Sequence, residues 1–594
     1  MSIPERIDAL RQILHAEGVA ALVVPSADPH LSEYLPARWQ ARQWLSGFGG
    51  SAGTLVVTAE FAGLWTDSRY FEQAAQELDG SGITLMRQGN PGIPDHAAWI
   101  AGNTPADATV AVAGDTLSLA AQDQLRRQFE NERRLRTDLD PVDRIWTDRP
   151  ARPAHPVRAH EPAYLSTTRA ERLARVRTAM REKDATHHLV SALDDVAWIT
   201  GLRGTDVAYN PVFLAHLLIG PEHSTLFIDP GKIADELAAE LARDGIHLAP
   251  YDTLPPALAH LPADARLWLD PRRIVAAIAE AAPASVRQIR HPNPSQAFKA
   301  AKSREELAHI RQTMRHDGVA LVRFLRWLEE QLARGQPLTE LDIDAALRHE
   351  RSRQPGFVGE SFATIAGYLA NGALPHYRAT PTQHAALRAE GLLLVDSGGQ
   401  YEGGTTDITR TIALGPTTTE QRSDYTLVLK GMIALSHARF PRGTTGQQLD
   451  ALARAPIWAA GINYGHGTGH GVGYFLNVHE GPQSIRPSSA EPPVALVEGM
   501  VTSNEPGIYR PGRHGVRIEN LLATVAAGTT EFGEFLSFET LTLCPIDTRP
   551  IVREQLDGAE VDWLNRYHRT VLDGVGPLLT PDEKDWLARR CEPL

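Results

Sequence analysis

The chain carries acidic side chains where a half-buried sheet does not ordinarily place them. Leu392 to Val395 is an apolar run that predicts a strand ending in Asp396. Gly398, Gly399, Gly403 and Gly404 supply a turn, and Thr405 to Leu414 predicts a second strand carrying Asp407 among β-branched neighbours. The pair reads as hairpin-like, with two carboxylates facing inward, although either aspartate alone reads better as a turn or strand-end residue on a solvated face. Downstream, Val497 to Ser503 leads into Asn504-Glu505-Pro506-Gly507, which puts a carboxylate at a strand end just before a turn. Gly515 to Val525 predicts a further strand, with Arg517 and Glu519 on one face and Val516 and Ile518 on the other. With His470, this makes four carboxylates and one imidazole. Burying such charges without a counter-cation is very costly, so they are either exposed or hold metal. Hard oxygen ligands with a single nitrogen suit Mn²⁺ or a similar ion, and two ions sharing bridging carboxylates would form a two-metal hydrolytic site.

Two other motifs point nowhere. Gly47-Phe48-Gly49-Gly50-Ser51-Ala52 fits a loose dinucleotide pattern, but the strand-like Thr54 to Thr58 follows it, whereas a nucleotide fingerprint needs a helix N-terminus aimed at the pyrophosphate. His466 and His470 are four apart, as in helical zinc pairs. The glycines at 465, 467, 469, 471 and 473 interleave them and would cost a helix about 1 kcal/mol each, so the pair sits on a loop or irregular strand. His479-Glu480-Gly481-Pro482 lacks the second histidine of a zinc-protease helix.

The elements that must position these residues begin with a repeat. Ser2 and Glu5 form a capping-box pattern ahead of Ile7, Leu10 and Leu14, with Gly18 as a C-terminal cap and strand-like Val19 to Val24 following. Thr168 and Glu171 stand in the same relation to Leu173, Val176 and Met180, and Val190 falls in register with Val24, which predicts two related α/β domains in tandem. Pro150, Pro153, Pro156 and Pro162 mark an extended linker between the copies. A second boundary falls at His291 to Ser303, where Ser303 and Glu306 cap a helix bearing Leu307, Ile310, Met314, Leu325, Leu328 and Leu332. The domains are expected at 1–155, 156–302 and 303–594, the last with a packed helical extension over about 545–594 around Trp563, Leu564, Tyr567, Val571, Trp586 and Leu587.

Composition narrows the partners. With 42% hydrophobic and 22% charged residues the chain is an ordinary globular protein, and its net charge of −13 argues against nucleic acid or an anionic membrane surface. Two cysteines, Cys544 and Cys591, fit a reduced compartment and cannot supply a thiolate zinc cluster. No signal peptide or membrane-length apolar run is visible, so a cytoplasmic protein is expected.

Taken in order, Asp396, Asp407, His470 in His466-Gly467-Thr468-Gly469-His470-Gly471-Val472-Gly473, Glu505 in Asn504-Glu505-Pro506-Gly507 and Glu519 in Val516-Arg517-Ile518-Glu519-Asn520 resemble aminopeptidase P, the Xaa-Pro aminopeptidases of the pita-bread metallopeptidases. Phe48 to Thr58 with Trp65 to Phe71 is similar to the family's first domain, and Gly201 to Asp206 with Tyr209 to Phe213 to the second domain of its long members. The resemblance implies an α/β (α+β) chain in which two creatinase-like domains precede a pita-bread catalytic domain. It implies that Asp396 binds one metal, that Asp407 and Glu519 bridge both, and that His470 and Glu505 complete the other. A hydroxide between two divalent ions, Mn²⁺ in the first place with Zn²⁺ or Co²⁺ as alternatives, would attack the bond between an N-terminal residue and a following proline. Glu505 is then the base. His376 in Pro375-His376-Tyr377 and His479 match positions serving the scissile amide and its oxyanion, and His466 matches the wall of the proline pocket. Arg517 would orient a ligand carboxylate from behind. The implied partner is a peptide with proline second, and the implied assembly a homodimer.

Two rivals stand beside this. Prolidase, an Xaa-Pro dipeptidase, shares the five ligands, but its usual members lack the duplicated N-terminal half. A non-catalytic peptide- or histone-binding module on the same fold would be expected to lose ligands, and all five are present; creatinase-like hydrolysis without metal is disfavoured for the same reason.

Overall fold

A computed structural model describes residues 1–129, 134–488 and 492–594, and the chain divides into two compact units, Met1–Gln296 and Ala297–Leu594. The first unit contains the expected repeat. Its two six-stranded sheets run Thr84–Arg87, Ala62–Thr66, Thr54–Thr58, Ala21–Pro25, Thr109–Val112, Arg134–Arg136 and Ile246–Ala249, Ser224–Ile228, Ala215–Ile219, His187–Val190, Arg266–Leu269, Arg287–Arg290. Strand for strand the order and the parallel or antiparallel sense agree. Each copy opens on a helix with the anticipated box: Ile3–Ala16, where Ser2 N–H donates to Glu5 at 2.7 Å, and Arg169–Glu182, where Thr168 N–H donates to Glu171 at 2.7 Å. Gly47 closes the helix Ala41–Ser46 at φ +75° and Thr54–Thr58 follows as a strand, so the glycine motif is a turn.

The second unit opens on the 30-residue helix Arg304–Ala333, capped by Ser303 and Glu306 as expected. The strand Leu392–Ser397 pairs on one side with Ile365–Tyr368 and on the other with Ile408–Ala413, both antiparallel. Alternation decides which side chains face the site. Leu393, Val395, Ile408 and Ile412 pack with Phe324 and Leu328 of the long helix, so Asp396 and its cross-strand partner Thr409 point to the opposite face. The helices Thr419–Ser436 and Gly558–Val575 build another core, where Tyr425, Leu429 and Met432 meet Trp563, Leu564 and Trp586. The C-terminal extension is therefore packed, with its last helix at Pro581–Arg590. Among the described residues no helix is long and apolar enough to cross a membrane.

Two strand expectations need correction. The predicted strand Thr405 to Leu414 is broken into Gly404–Thr405 and Ile408–Ala413, and Asp407 lies in the break. The predicted strand Gly515 to Val525 is two strands, His514–Arg517 and Asn520–Thr530, with Ile518 and Glu519 between them. Each break has the same cause. The chain leaves one sheet for another there, His514–Arg517 pairing with Gly507–Arg510 and Asn520–Thr530 with Val501–Asn504, and period-two patterning does not register such a change.

Candidate metal centre

The candidate ligand carboxylates sit at those breaks and strand ends. The ladder between Val501–Asn504 and Asn520–Thr530 ends on the pair Asn504 and Asn520, so Glu505 and Glu519 flank each other one step beyond it. Gly469–His470 runs along the other side of the same strand: His470 N–H donates to Ser503 Oγ at 2.9 Å, and Glu505 N–H donates to the Thr468 carbonyl at 2.8 Å. The interleaved glycines make this approach possible. A Cβ on Gly469 would lie 2.0 Å from the Ser503 carbonyl oxygen.

His470 Nε2 lies 3.5 Å from Asp407 Oδ2 and 3.4 Å from Glu505 Oε1, and ligand atoms of Asp407, His470 and Glu519 all fall within 4.8 Å of one another. His470 Nδ1 is 3.0 Å from the Gly471 carbonyl, an acceptor, so that nitrogen carries a proton and Nε2 is the one turned to the carboxylates. Asp396 joins the group from the neighbouring strand, held by Arg517 Nη2 at 2.5 Å from its Oδ2. Asp396 and Asp407 are 7% and 5% exposed, which excludes a solvated face for either.

The protonation behaviour of the cluster expresses unmet negative charge. Burial, reinforced by Asp407 and Glu505 against the pull of Arg517, lifts Asp396 to about 7. Burial also raises Glu505, and raises Glu519 far above the carboxylate range with help from Asp407, Glu505 and Asp396. Burial alone would depress His470, yet its contact with Asp407 and the charge of Glu505 bring it to about 9. Asp396 Oδ1 and Glu519 Oε1 are buried with no hydrogen-bond partner. Orphaned carboxylate oxygens around an imidazole whose Nε2 faces them fit divalent cations with oxygen and nitrogen ligands, which would take the place of the Nε2 proton.

Arg517 reaches beyond Asp396. It also donates to Tyr509 OH at 2.7 Å, Thr409 Oγ1 at 3.1 Å and the Pro375 carbonyl at 3.3 Å. The last bond ties the turn carrying half-buried His376 to the site. His466 donates from Nδ1 to the Gly467 carbonyl at 2.7 Å, which leaves Nε2 to accept from Tyr509 OH at 2.8 Å. The His479 ring meets the His470 ring edge-on, with centroids 4.3 Å apart. Sequence reasoning missed Tyr509, whose hydroxyl burial pushes up to about 12, and Thr409, which donates to Glu519 Oε2 at 2.8 Å. It also missed Arg410, which holds the Glu519 carbonyl at 2.6 Å. A signal for Tyr509 existed. In the hairpin Gly507–Arg510/His514–Arg517, Gly507 pairs with Arg517, so Tyr509 is the diagonal neighbour of Arg517 on one face.

Known proteins show the same organisation. Metallopeptidase family M24 matches residues 308–526, its C-terminal region 534–594, and creatinase/prolidase N-terminal domains 6–145 and 148–306. The chain is 38% identical to aminopeptidase P2 of Arabidopsis thaliana, over 100% of this chain and 89% of that one. It is 39% identical to the probable Xaa-Pro aminopeptidase P of Laccaria bicolor, over 99% and 93%. The crystal structure of X-prolyl aminopeptidase from Caenorhabditis elegans, described as a cytosolic enzyme with a di-nuclear active site, superposes with a TM-score of 0.96 at 33% identity and covers 100% of both chains. The carboxylate and imidazole cluster, the duplicated sheets and these full-length matches together place the chain in metallopeptidase family M24, among the Xaa-Pro aminopeptidases.

Proposed function

We propose that the protein is a dinuclear metallo-aminopeptidase that removes the N-terminal residue from peptides with proline in second position. The observation that carries this is the cluster of buried Asp407 and Glu519 with half-buried His470, together with orphaned oxygens on Asp396 and Glu519. Asp396 would hold one cation, Asp407 and Glu519 would be shared, and His470 and Glu505 would complete the other; Mn²⁺ suits this donor set. When bound, the two cations lower the pKa of water and polarise the scissile carbonyl.

The chain's own residues do the rest. Ser503 Oγ donates to Glu505 Oε1 at 3.1 Å and orients the carboxylate that takes the proton of the attacking water. Arg517 orients Asp396 and favours its ionised form against the effect of burial. His376 and His479 hydrogen-bond the scissile amide and its developing oxyanion, and move the proton the leaving proline nitrogen requires. His466, fixed by Tyr509, walls the proline pocket. Such a pocket answers the substrate's chemistry, since an Xaa-Pro amide has no N–H to offer a strand-like recognition site.

The reading extends to a cytoplasmic homodimer with domains at 1–155, 156–302 and 303–594. Metal analysis tests its core: the purified chain should hold two Mn²⁺ per protomer, and Asp407→Asn and Glu519→Gln should each lose them. Retention of both ions by both variants would refute the ligand assignment.

A further inference from the structure

Glu480 follows His479 and is buried at 2% exposure with a carboxylate that takes no part in the metal cluster. Its Oε1 lies 2.6 Å from Lys302 Nζ and its Oε2 3.5 Å from Lys299 Nζ, and all three side chains are at most 2% exposed. Two cations and one anion in an apolar interior add little stability over a well-packed apolar set, so the arrangement points to a role in fixing geometry.

Both ends of this clasp are themselves fixed. Lys302 N–H donates to the Gly499 carbonyl at 3.0 Å, Ala301 bridges Met500, and Gly499, at φ +87°, leaves no room for a side chain because a Cβ would meet the Lys302 carbonyl oxygen at 2.3 Å. Lys302 also immediately precedes Ser303, the cap of the 30-residue helix. At the other end, Glu480 N–H donates to the Gly471 carbonyl at 2.8 Å, and Gly471 N–H donates to the Gln483 carbonyl at 3.2 Å. Glu480 is thus stitched by its backbone to the residue after His470 and by its side chain to the start of the helix. Between these anchors, the His479 ring stands edge-on to that of His470.

We infer that Glu480 is a positioning residue for the hydrolysis: the Lys302–Glu480–Lys299 clasp sets the His479 imidazole against the metal-ligating His470. The inference rests on the reading that His479 serves the scissile amide. A displacement of about 1 Å at such a group costs on the order of 100-fold in rate, so even partial slackening of the clasp is measurable.

The test is a double-mutant cycle on the Mn²⁺-loaded enzyme, reading kcat and KM on an Xaa-Pro-Xaa tripeptide for wild type, Glu480→Gln, His479→Ala and the pair. Expected for Glu480→Gln is a fall in kcat of about tenfold or more, with KM within about threefold and two metals still bound. In the His479→Ala background the same change should cost less than about twofold, because the group it positions is gone. Lys302→Met, which loosens the clasp while Lys299 still neutralises Glu480, should repeat the pattern and carries the test where Glu480→Gln does not fold. A kcat within twofold of wild type for these variants, or a loss undiminished in the His479→Ala background, overturns the inference. If His479→Ala itself keeps wild-type kcat, the assignment of His479 falls, and this inference with it. If His479→Ala is impaired while the clasp variants are not, only the inference about Glu480 falls.

Discussion

Gly469→Ala strikes the seam between the strand of His470 and the strand that leads to Glu505. The added Cβ would lie 2.0 Å from the Ser503 carbonyl oxygen and 3.3 Å from Ser503 Oγ, while real Cβ contacts stay beyond 3.0 Å. Backbone meets backbone here, so no side chain can swing away, and the two segments must part by about 1 Å. Displacing His470 from Glu505 by that distance should lower kcat on the order of 100-fold. Overpacking a buried seam should cost about 1–3 kcal/mol of stability. The assays are kcat on a proline tripeptide, metal content, and urea unfolding. Gly558→Ala is the control: its Cβ meets nothing within 4 Å, and it opens the helix Gly558–Val575, so stability and kcat should stay close to wild type. A Gly469→Ala enzyme with kcat within threefold of wild type and unchanged unfolding would refute the claim that the glycines exist to let these two strands touch.

Further outcomes follow from the same geometry. Glu505→Gln should lower kcat by at least about 100-fold with an unaltered circular dichroism spectrum, and near-normal turnover would remove Glu505 as the base. Tyr509→Phe deprives both Arg517 and His466 of a buried partner, so it should cost about 1–3 kcal/mol in stability and reduce kcat/KM, checked by unfolding and steady-state kinetics. His568, whose Nε2 accepts from Ile546 N–H at 3.2 Å, is depressed by burial and then by Arg410 to about 4. It is neutral in the folded state, so the stability it contributes is complete above about 6.5 and is lost as pH falls toward 4, by about 3 kcal/mol. Urea unfolding at pH 7 and pH 4.5 should therefore show a smaller pH loss in His568→Gln than in wild type; an equal loss contradicts the assignment.

Several members of the candidate ligand set sit in short local signatures that a sequence shows: Asp396 at the end of an apolar strand, Glu505 before Pro506-Gly507, His470 among glycines too many for a helix. The duplication was legible for a related reason, since a capping box followed by apolar helical spacing is a local pattern and it occurs twice. What escaped was decided across strands. The sequence pattern runs Asp407 and Glu519 into continuous strands, because apolar and polar residues go on alternating through both breaks while the hydrogen-bonding partner changes beneath them. Arg410 looked like one more strand residue. It is buried only because the chain returns at Cys544, Pro545 and Tyr567 to accept its donors, over a hundred positions later. The clasp at Glu480 was hidden likewise: Lys302 and Glu480 are 178 residues apart, and nothing local marks either as buried.

On the proposed function, these carboxylates and His470 hold two cations for cleavage of an Xaa-Pro bond. The most direct measurement follows release of the N-terminal residue from an Xaa-Pro-Xaa tripeptide and from an Xaa-Pro dipeptide, after chelator treatment and during stepwise return of Mn²⁺. The prediction is no cleavage after chelation and recovery of tripeptide cleavage that saturates at two equivalents per chain. Cleavage that survives removal of the metal, or that is confined to the dipeptide, would contradict it.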